Sequence, residues 1–145
     1  RWMDEHLVIT GGEPLLGWQR AYPDLLSHER MKQLKELTFE TNGTQMLSPE
    51  LKEYLYKWKM NREKNAITFS VSPKLSISGE KWEEAICPPV VNQYQEVGFV
   101  YLMPCGGVES LYTLNARRVA DEACKRGWRY SDRLQVPLFK NEWGT

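Results

Sequence analysis

The sequence predicts an α/β fold built on a mostly parallel sheet. Three observations carry this. Short runs of β-branched and apolar residues recur along the chain, segments with helically spaced apolar residues lie between them, and each run ends in a loop marked by glycine, proline or hydroxyl side chains. Strands that alternate with helices over connections of this length imply parallel neighbours joined by right-handed crossovers. The 145 residues are the size of one ordinary domain, and 1–145 reads as a single unit without linker, repeat or low-complexity tract.

Taken in order, Leu7 to Thr10 forms a buried strand stopped by Gly11 and Gly12. Pro14 and Pro23 interrupt the next stretch. From about Asp24 to Glu36, Leu25, Leu26, Met31 and Leu34 keep a helical period, which predicts a helix lying on the sheet. Leu37 to Thr41 is the second strand, ended by the turn dipeptide Asn42-Gly43. Ser48-Pro49-Glu50 opens a helix that runs to about Met60: a side-chain acceptor at the N-cap, proline at the first helical position and a carboxylate at the positive end of the dipole. Ala66 to Val71 is the third strand, leading into Ser72-Pro73-Lys74. A less regular stretch holds Pro88 and Pro89, and Phe99 to Met103 is the fourth strand, ending at Pro104. Leu114, Ala116, Val119, Ala120, Ala123 and Cys124 give a last helix its apolar face, closed by Gly127. A fifth strand is expected between Leu134 and Phe139.

Composition excludes several classes of function. Lys+Arg and Asp+Glu both number 19, so the chain has no global attraction for phosphate backbones or anionic membranes, and no direct nucleic-acid partner is expected. No apolar run is long enough to span a bilayer and none reads as a signal peptide, so no membrane partner is expected and the location is cytoplasmic. Cys87, Cys105 and Cys124 are odd in number and lie 18 and 19 positions apart. That argues against a disulfide scaffold, suits a reducing compartment and does not resemble an iron–sulfur ligand run. Cys124 is expected on the buried face of its helix. Neither His6 nor His28 is expected to bind metal, and no nucleophile elbow, Walker loop or dinucleotide fingerprint is present. Lys57, Lys59, Arg62, Glu63 and Lys64 read as a solvated run at a helix end.

In parallel α/β folds ligands sit at the carboxyl ends of the strands. Four loops leave that rim: Thr10 to Pro14, Glu40 to Thr44, Ser72 to Lys74, and Met103 to Gly107. Gly11 and Gly12 let the backbone approach a ligand, Glu13 offers a carboxylate to an ammonium or hydroxyl group, Thr10, Thr41 and Ser72 add hydroxyls, and Lys74 adds a cation. Each piece also has a plainer reading, since glycine pairs and Asn-Gly dipeptides end strands in many proteins.

Taken together, Val8-Ile9-Thr10-Gly11-Gly12-Glu13-Pro14, Glu40-Thr41-Asn42-Gly43-Thr44 and Val71-Ser72-Pro73-Lys74 resemble the radical S-adenosylmethionine enzymes, and within them the 7-carboxy-7-deazaguanine synthase family. Gly127-Trp128-Arg129, Leu134-Gln135-Val136 and the end Asn141-Glu142-Trp143-Gly144-Thr145 are similar to that family's C-terminus. The resemblance implies a partial, mostly parallel βα barrel-like sheet of the radical S-adenosylmethionine type. It implies a carbon–nitrogen lyase that uses S-adenosylmethionine, a 4Fe-4S cluster and Mg2+. The reaction it implies contracts 6-carboxy-5,6,7,8-tetrahydropterin to 7-carboxy-7-deazaguanine with loss of ammonia, on the route to queuosine and other 7-deazapurines. By position, Gly12 and Glu13 meet the aminoacyl end of S-adenosylmethionine, Ser72, Pro73 and Lys74 line its nucleoside side, Thr41 stands near it, and Thr10 touches the pterin. An external electron donor and a homodimer are the further partners the resemblance suggests.

The family's three-cysteine C-x3-C-x2-C loop, and the magnesium-contacting threonine after it, have no counterpart here, and the three cysteines present do not replace them on spacing. The stretch between Lys74 and Tyr101 reads as short by about one strand–helix unit. The expectation is therefore a C-terminal portion of such an enzyme, inactive as an isolated chain. The alternatives are a non-enzymatic ligand-binding or interaction remnant, and another radical S-adenosylmethionine branch such as an activating enzyme.

Overall fold

The computed structural model describes residues 6–61, 65–74, 85–105 and 109–139. Five strands, β1 (His6–Ile9), β2 (Glu36–Thr41), β3 (Ala66–Val71), β4 (Phe99–Leu102) and β5 (Arg129–Tyr130), form one sheet in the order β1-β2-β3-β4-β5. Every neighbouring pair is parallel. The register places Ile9, Phe39, Phe69 and Val100 side by side, with Thr41, Val71, Leu102 and Tyr130 one level nearer the carboxyl ends. A doubly wound sheet reverses its strand order at a switch point, whereas a βα barrel adds each strand beside the last. The sequential order here is of the second kind, and the fold is a five-stranded α/β sheet consistent with part of a βα barrel.

Burial alternates along the strands with the period of two that a pleated sheet imposes. Leu37, Phe39, Ile67, Phe69, Val100 and Leu102 are buried, while the residues between them, Thr38, Glu40, Thr68, Ser70 and Tyr101, are half-buried or exposed. Only one face of the sheet is covered by described residues. Parallel sheets are generally covered on both faces and read as continuous apolar runs; the threonine-rich alternation in Leu37 to Thr41 and Ala66 to Val71 instead matches a strand with one polar, lumen-like side.

The covered face carries the helices α1 (Tyr22–Ser27), α2 (Pro49–Met60), α3 (Pro88–Val97) and α4 (Glu109–Arg126), and a short helix α5 (Gln135–Phe139) packs against α4. Helix α2 forms as its start signal predicts: the Ser48 hydroxyl accepts from the Leu51 amide at 3.2 Å, and Leu51, Leu55 and Trp58 face the sheet at spacings of four and three. An aromatic row crosses the core. Tyr22 meets Phe39 edge-on at 5.5 Å, Phe39 stacks on Phe69 at 5.4 Å, and Phe69 stacks on Tyr94 at 4.4 Å. This row locks α1 and α3 to the two central strands through contacts stronger than area burial alone.

Four expectations are corrected. The helix expected from Asp24 to Glu36 ends at Ser27: His28 turns to an extended conformation and its Nδ1 caps a separate 3-10 turn at Glu29–Met31 by accepting from the Arg30 amide. The stretch around Pro88 and Pro89 is not irregular but opens α3, because proline is well suited to the first helical turn, and Val90, Val91, Tyr94 and Val97 then bury one face. The last strand is Arg129–Tyr130, and the segment expected as a strand is the short helix α5. Cys124 is exposed, because α4 turns Tyr112, Asn115, Val119, Glu122 and Ala123 inward instead. Gly127 does close α4, at φ +67°. Within the charged run, Lys57 pairs with Glu53 and Lys59 donates to the Val97 carbonyl; Arg62, Glu63 and Lys64 lie outside the described residues, as do Gly106, Gly107 and Asn141 to Thr145.

Gly98 joins α3 to β4 where a Cβ would stand 2.4 Å from the Ile67 carbonyl oxygen. Neither backbone can yield without breaking the β3–β4 ladder, so Gly98→Ala is expected to lower stability by about 1–3 kcal/mol, measured as a shift of the urea midpoint. Burial and the adjoining Asp132 carboxylate push Tyr112 and Tyr130 each up to about 12. A raised folded value keeps the full contribution below the unfolded tyrosine value near 10 and loses it as pH climbs to the folded one. Stability is therefore expected to fall between pH 10 and 12, followed by circular dichroism and phenolate absorbance.

Candidate functional site

The carboxyl ends of the strands form a rim, and the loops that follow β3, β4 and β5 start by extending the ladder of the strand before them. The Ser72 amide donates to the Thr41 carbonyl at 2.8 Å, the Met103 amide to Val71 at 2.8 Å and the Ser131 amide to Leu102 at 2.9 Å. These bonds fix the first residue of the third, fourth and fifth loops against its neighbour.

The first two loops are tied by Glu13. Its Oε1 accepts from the Thr41 hydroxyl at 2.7 Å and the Leu15 amide at 3.1 Å, and its Oε2 accepts from the Asn42 amide at 2.7 Å. Thr41 is buried and its hydroxyl also accepts from the Gly43 amide at 3.1 Å. Gly43 is required there: its φ is +78° and a Cβ would stand 2.5 Å from Val71 Cγ1. Asn42 Oδ1 closes the turn by accepting from the Thr44 amide and hydroxyl. Two tyrosines of the aromatic row hold the loops from below, Tyr22 donating to the Pro14 carbonyl and Tyr94 to the Gln45 carbonyl. Burial, with the Glu13 charge adding to it, pushes both phenols up, so both stay protonated donors at neutral pH. A carboxylate offers about four acceptor positions; with three bonds made within the loops, Glu13 keeps one on Oε2 for a ligand.

Residues from all the rim loops border one cavity of about 220 Å3, among them Thr10, Gly12, Thr41, Ser72 and Lys74. A second cavity of about 540 Å3, edged by Glu13, Pro14, Trp18 and Tyr22, shares Thr10, Gly11 and Gly12 with the first, so the two make a continuous trough. A Cβ placed on Gly11 or Gly12 would meet nothing within 4 Å, and the backbone there is open to a ligand. Pro73 is buried and borders neither cavity. Of the residues expected at a site, the structure thus brings six to the trough and leaves Pro73 beneath it.

Two cavity residues, Ser70 and Arg133, lie outside the loops named from the sequence, and a third, Glu40, was named there only as part of its loop. Glu40, the last residue but one of β2, lies on the uncovered face and accepts from the Thr10 hydroxyl at 2.9 Å; its position two residues after Thr38 on the same face was the available signal. Ser70 follows the same alternation on β3. Arg133 stands just before the segment Leu134 to Phe139 that was expected as a strand, in the loop that follows β5, and no local pattern marked it. Cys105 borders the cavity, Cys87 precedes α3, and Cys124 lies exposed on α4. Among the described residues no group of three His, Cys, Asp or Glu side chains is placed to hold a metal ion, so neither a cluster site nor a magnesium site is built from them. No helix among them is long and apolar enough to cross a membrane.

Comparison with known proteins yields two curated relatives. The 7-carboxy-7-deazaguanine synthase of Pyrobaculum aerophilum is 28% identical over 163 aligned residues, covering 96% of this chain and 67% of the relative. That of Rhodopirellula baltica is 28% identical over 170 residues, covering 97% of this chain and 64% of the relative. The chain thus spans about two thirds of the length of each, and both alignments are longer than its 145 residues, so the relatives carry insertions with respect to it. No family model matches the chain, and no solved structure does. With the Gly-Gly-Glu, Thr-Asn-Gly and Ser-Pro-Lys loops drawn to one trough, the chain is related at the level of family to the 7-carboxy-7-deazaguanine synthases.

Proposed function

We propose that this chain supplies the ligand-binding rim of a 7-carboxy-7-deazaguanine synthase, a carbon–nitrogen lyase that binds S-adenosylmethionine and 6-carboxy-5,6,7,8-tetrahydropterin. The observation that carries this reading is the single trough onto which Thr10, Gly12, Glu13, Thr41, Ser72 and Lys74 converge from three loops far apart in sequence. Its polar edges and apolar, aromatic far end match the make-up of small-molecule sites, and its two compartments give room for two ligands side by side.

The donor set fits S-adenosylmethionine. The open backbone at Gly12 and the spare acceptor position on Glu13 suit an ammonium group, and Ser72 and Lys74 stand on the opposite side for the nucleoside hydroxyls. Thr10, held by Glu40, faces both compartments and is the contact assigned to the pterin. When bound and reduced, S-adenosylmethionine supplies hydrogen-abstracting radical chemistry; the residues of this chain orient the two ligands and keep water from the space between them. The described residues do not fit a 4Fe-4S cluster or Mg2+, and no step is assigned to either through this chain. An external electron donor and a second copy of the chain complete the proposed set of partners.

Isothermal calorimetry tests the reading: the chain is expected to bind S-adenosylmethionine and the carboxylated pterin, and absence of both heats refutes it. Glu13→Gln keeps one acceptor oxygen and replaces the other by an NH2 group, so in either orientation the Asn42 N–H or the Leu15 N–H loses its acceptor. It is expected to cost about 1–3 kcal/mol of stability, as an unsatisfied buried donor does, and to weaken S-adenosylmethionine about tenfold or more, consistent with the loss of a charged acceptor. A melting curve and a titration separate the two effects. Treated anaerobically with iron and sulfide, the 145-residue chain is expected to show no stable 4Fe-4S absorption, because Cys87, Cys105 and Cys124 form no ligand group; a stable cluster spectrum would contradict that placement.

A further inference from the structure

Arg133 follows β5 on the same rim and borders the smaller cavity beside Ser72 and Lys74. Its backbone is fixed from two directions. The Arg133 amide donates to the Tyr112 hydroxyl at 2.8 Å and to Asp132 Oδ1 at 2.9 Å, and the Tyr112 hydroxyl also binds the Asp132 carboxylate. The side chain therefore starts from a rigid point held by α4.

What the side chain does at its other end is unusual. Its Nε is buried and has no hydrogen-bond partner. Buried polar atoms are rarely left unpaired, and one belonging to a charged group is more costly than a neutral one. Asp132, the nearest acid in sequence, is already engaged by Tyr112 and by the Arg133 amide. Lys74 adds a second cation to the same wall, and no ion pair of Lys74 occurs among the described residues. A guanidinium presents parallel N–H groups that match a carboxylate. Glu40 borders the same cavity and would oppose a doubly charged anion more than a singly charged one.

We propose that Arg133, with Lys74 beside it, is a carboxylate anchor for the ligand of this cavity. The proposal rests on the functional reading above, because both ligands named there carry a carboxylate: the methionyl end of S-adenosylmethionine and the C6 substituent of the pterin. The shared chemistry is one monoanionic carboxylate received by an arginine fork.

The test compares two matched pairs by calorimetry on the full chain: S-adenosylmethionine against its decarboxylated form, and 6-carboxytetrahydropterin against tetrahydropterin. The wild-type protein is expected to prefer the carboxylated member of one pair by about tenfold or more, the scale of a charge-assisted bidentate contact. Arg133→Gln is expected to bring that ratio close to one while leaving the other pair's ratio unchanged, which identifies the carboxylate. Arg133→Lys, which keeps the charge but loses the fork and the Nε donor, is expected to lower the ratio part of the way, and it decides the matter if the glutamine variant does not fold. Ratios unchanged from wild type in both pairs, or a wild-type protein that binds the ligands without preference for the carboxylated forms, overturn the anchor and leave the functional reading standing. A wild-type protein that binds none of the four overturns both.

Discussion

The Glu13 carboxylate is the constraint on which the site depends. Loops that leave neighbouring parallel strands part from the ladder within a residue or so of the strand ends. Here one partly buried anion accepts from a hydroxyl and an amide of the second loop and from an amide of its own. A carboxylate is suited to this because it only accepts, and both of its oxygens can be aimed at different loops. The consequence reaches past the loops. Thr41, held by Glu13, in turn receives the Gly43 amide, and Gly43 packs on Val71 so closely that no side chain fits. The Glu13 carboxylate thus acts, together with the Ser72 amide bond to the Thr41 carbonyl, on the position of the second loop against β3 and of the cavity between them.

The sheet contributes to the same end by its one-sidedness. Sequential parallel strands with their helices on one face put every strand-to-loop transition on one rim and leave the other face to Thr38, Glu40, Thr68, Ser70 and Tyr101. Glu40 and Ser70 reach the cavity from that face. The aromatic row beneath the rim couples the covered face to the loops, because its two end members, Tyr22 and Tyr94, spend their hydroxyls on the Pro14 and Gln45 carbonyls. Packing in the core and placement of the loops are thus held by the same residues.

The strands and the rim were legible in the sequence because both are written locally. Alternation in Ala66 to Val71 and the capping signal at Ser48 depend on nearest neighbours, and both formed as the residues imply. The four loops were found by the rule that parallel sheets bind ligands at their carboxyl ends, which needs strand order only. What escaped depends on tertiary packing. Pro88 and Pro89 looked like breakers, yet in the first turn of α3 they stabilise the helix that buries Tyr94 on Phe69. Cys124 lies outward because the twist of α4 over the sheet selects Val119 and Ala123. The role of Glu13 as a tie between loops could not be read from a Gly-Gly-Glu string, since its partners lie 28 and 29 positions away.

The charges around the trough are divided by strand order. Glu40 and the Thr10 hydroxyl it holds belong to the β1–β2 side, and Lys74 and Arg133 belong to the β3–β5 side. A neutral wall would let a flat polar ligand enter in either direction. Opposed charges on the two sides of the trough make the two directions unequal, since reversing a ligand that carries a carboxylate would bring like charges together. Under the function proposed above, orientation would matter more than affinity, because misplacement of reacting atoms by about 1 Å can cost a hundredfold in rate. A rim that is rigid at Glu13 and polar in opposite senses at its two sides is built to fix direction.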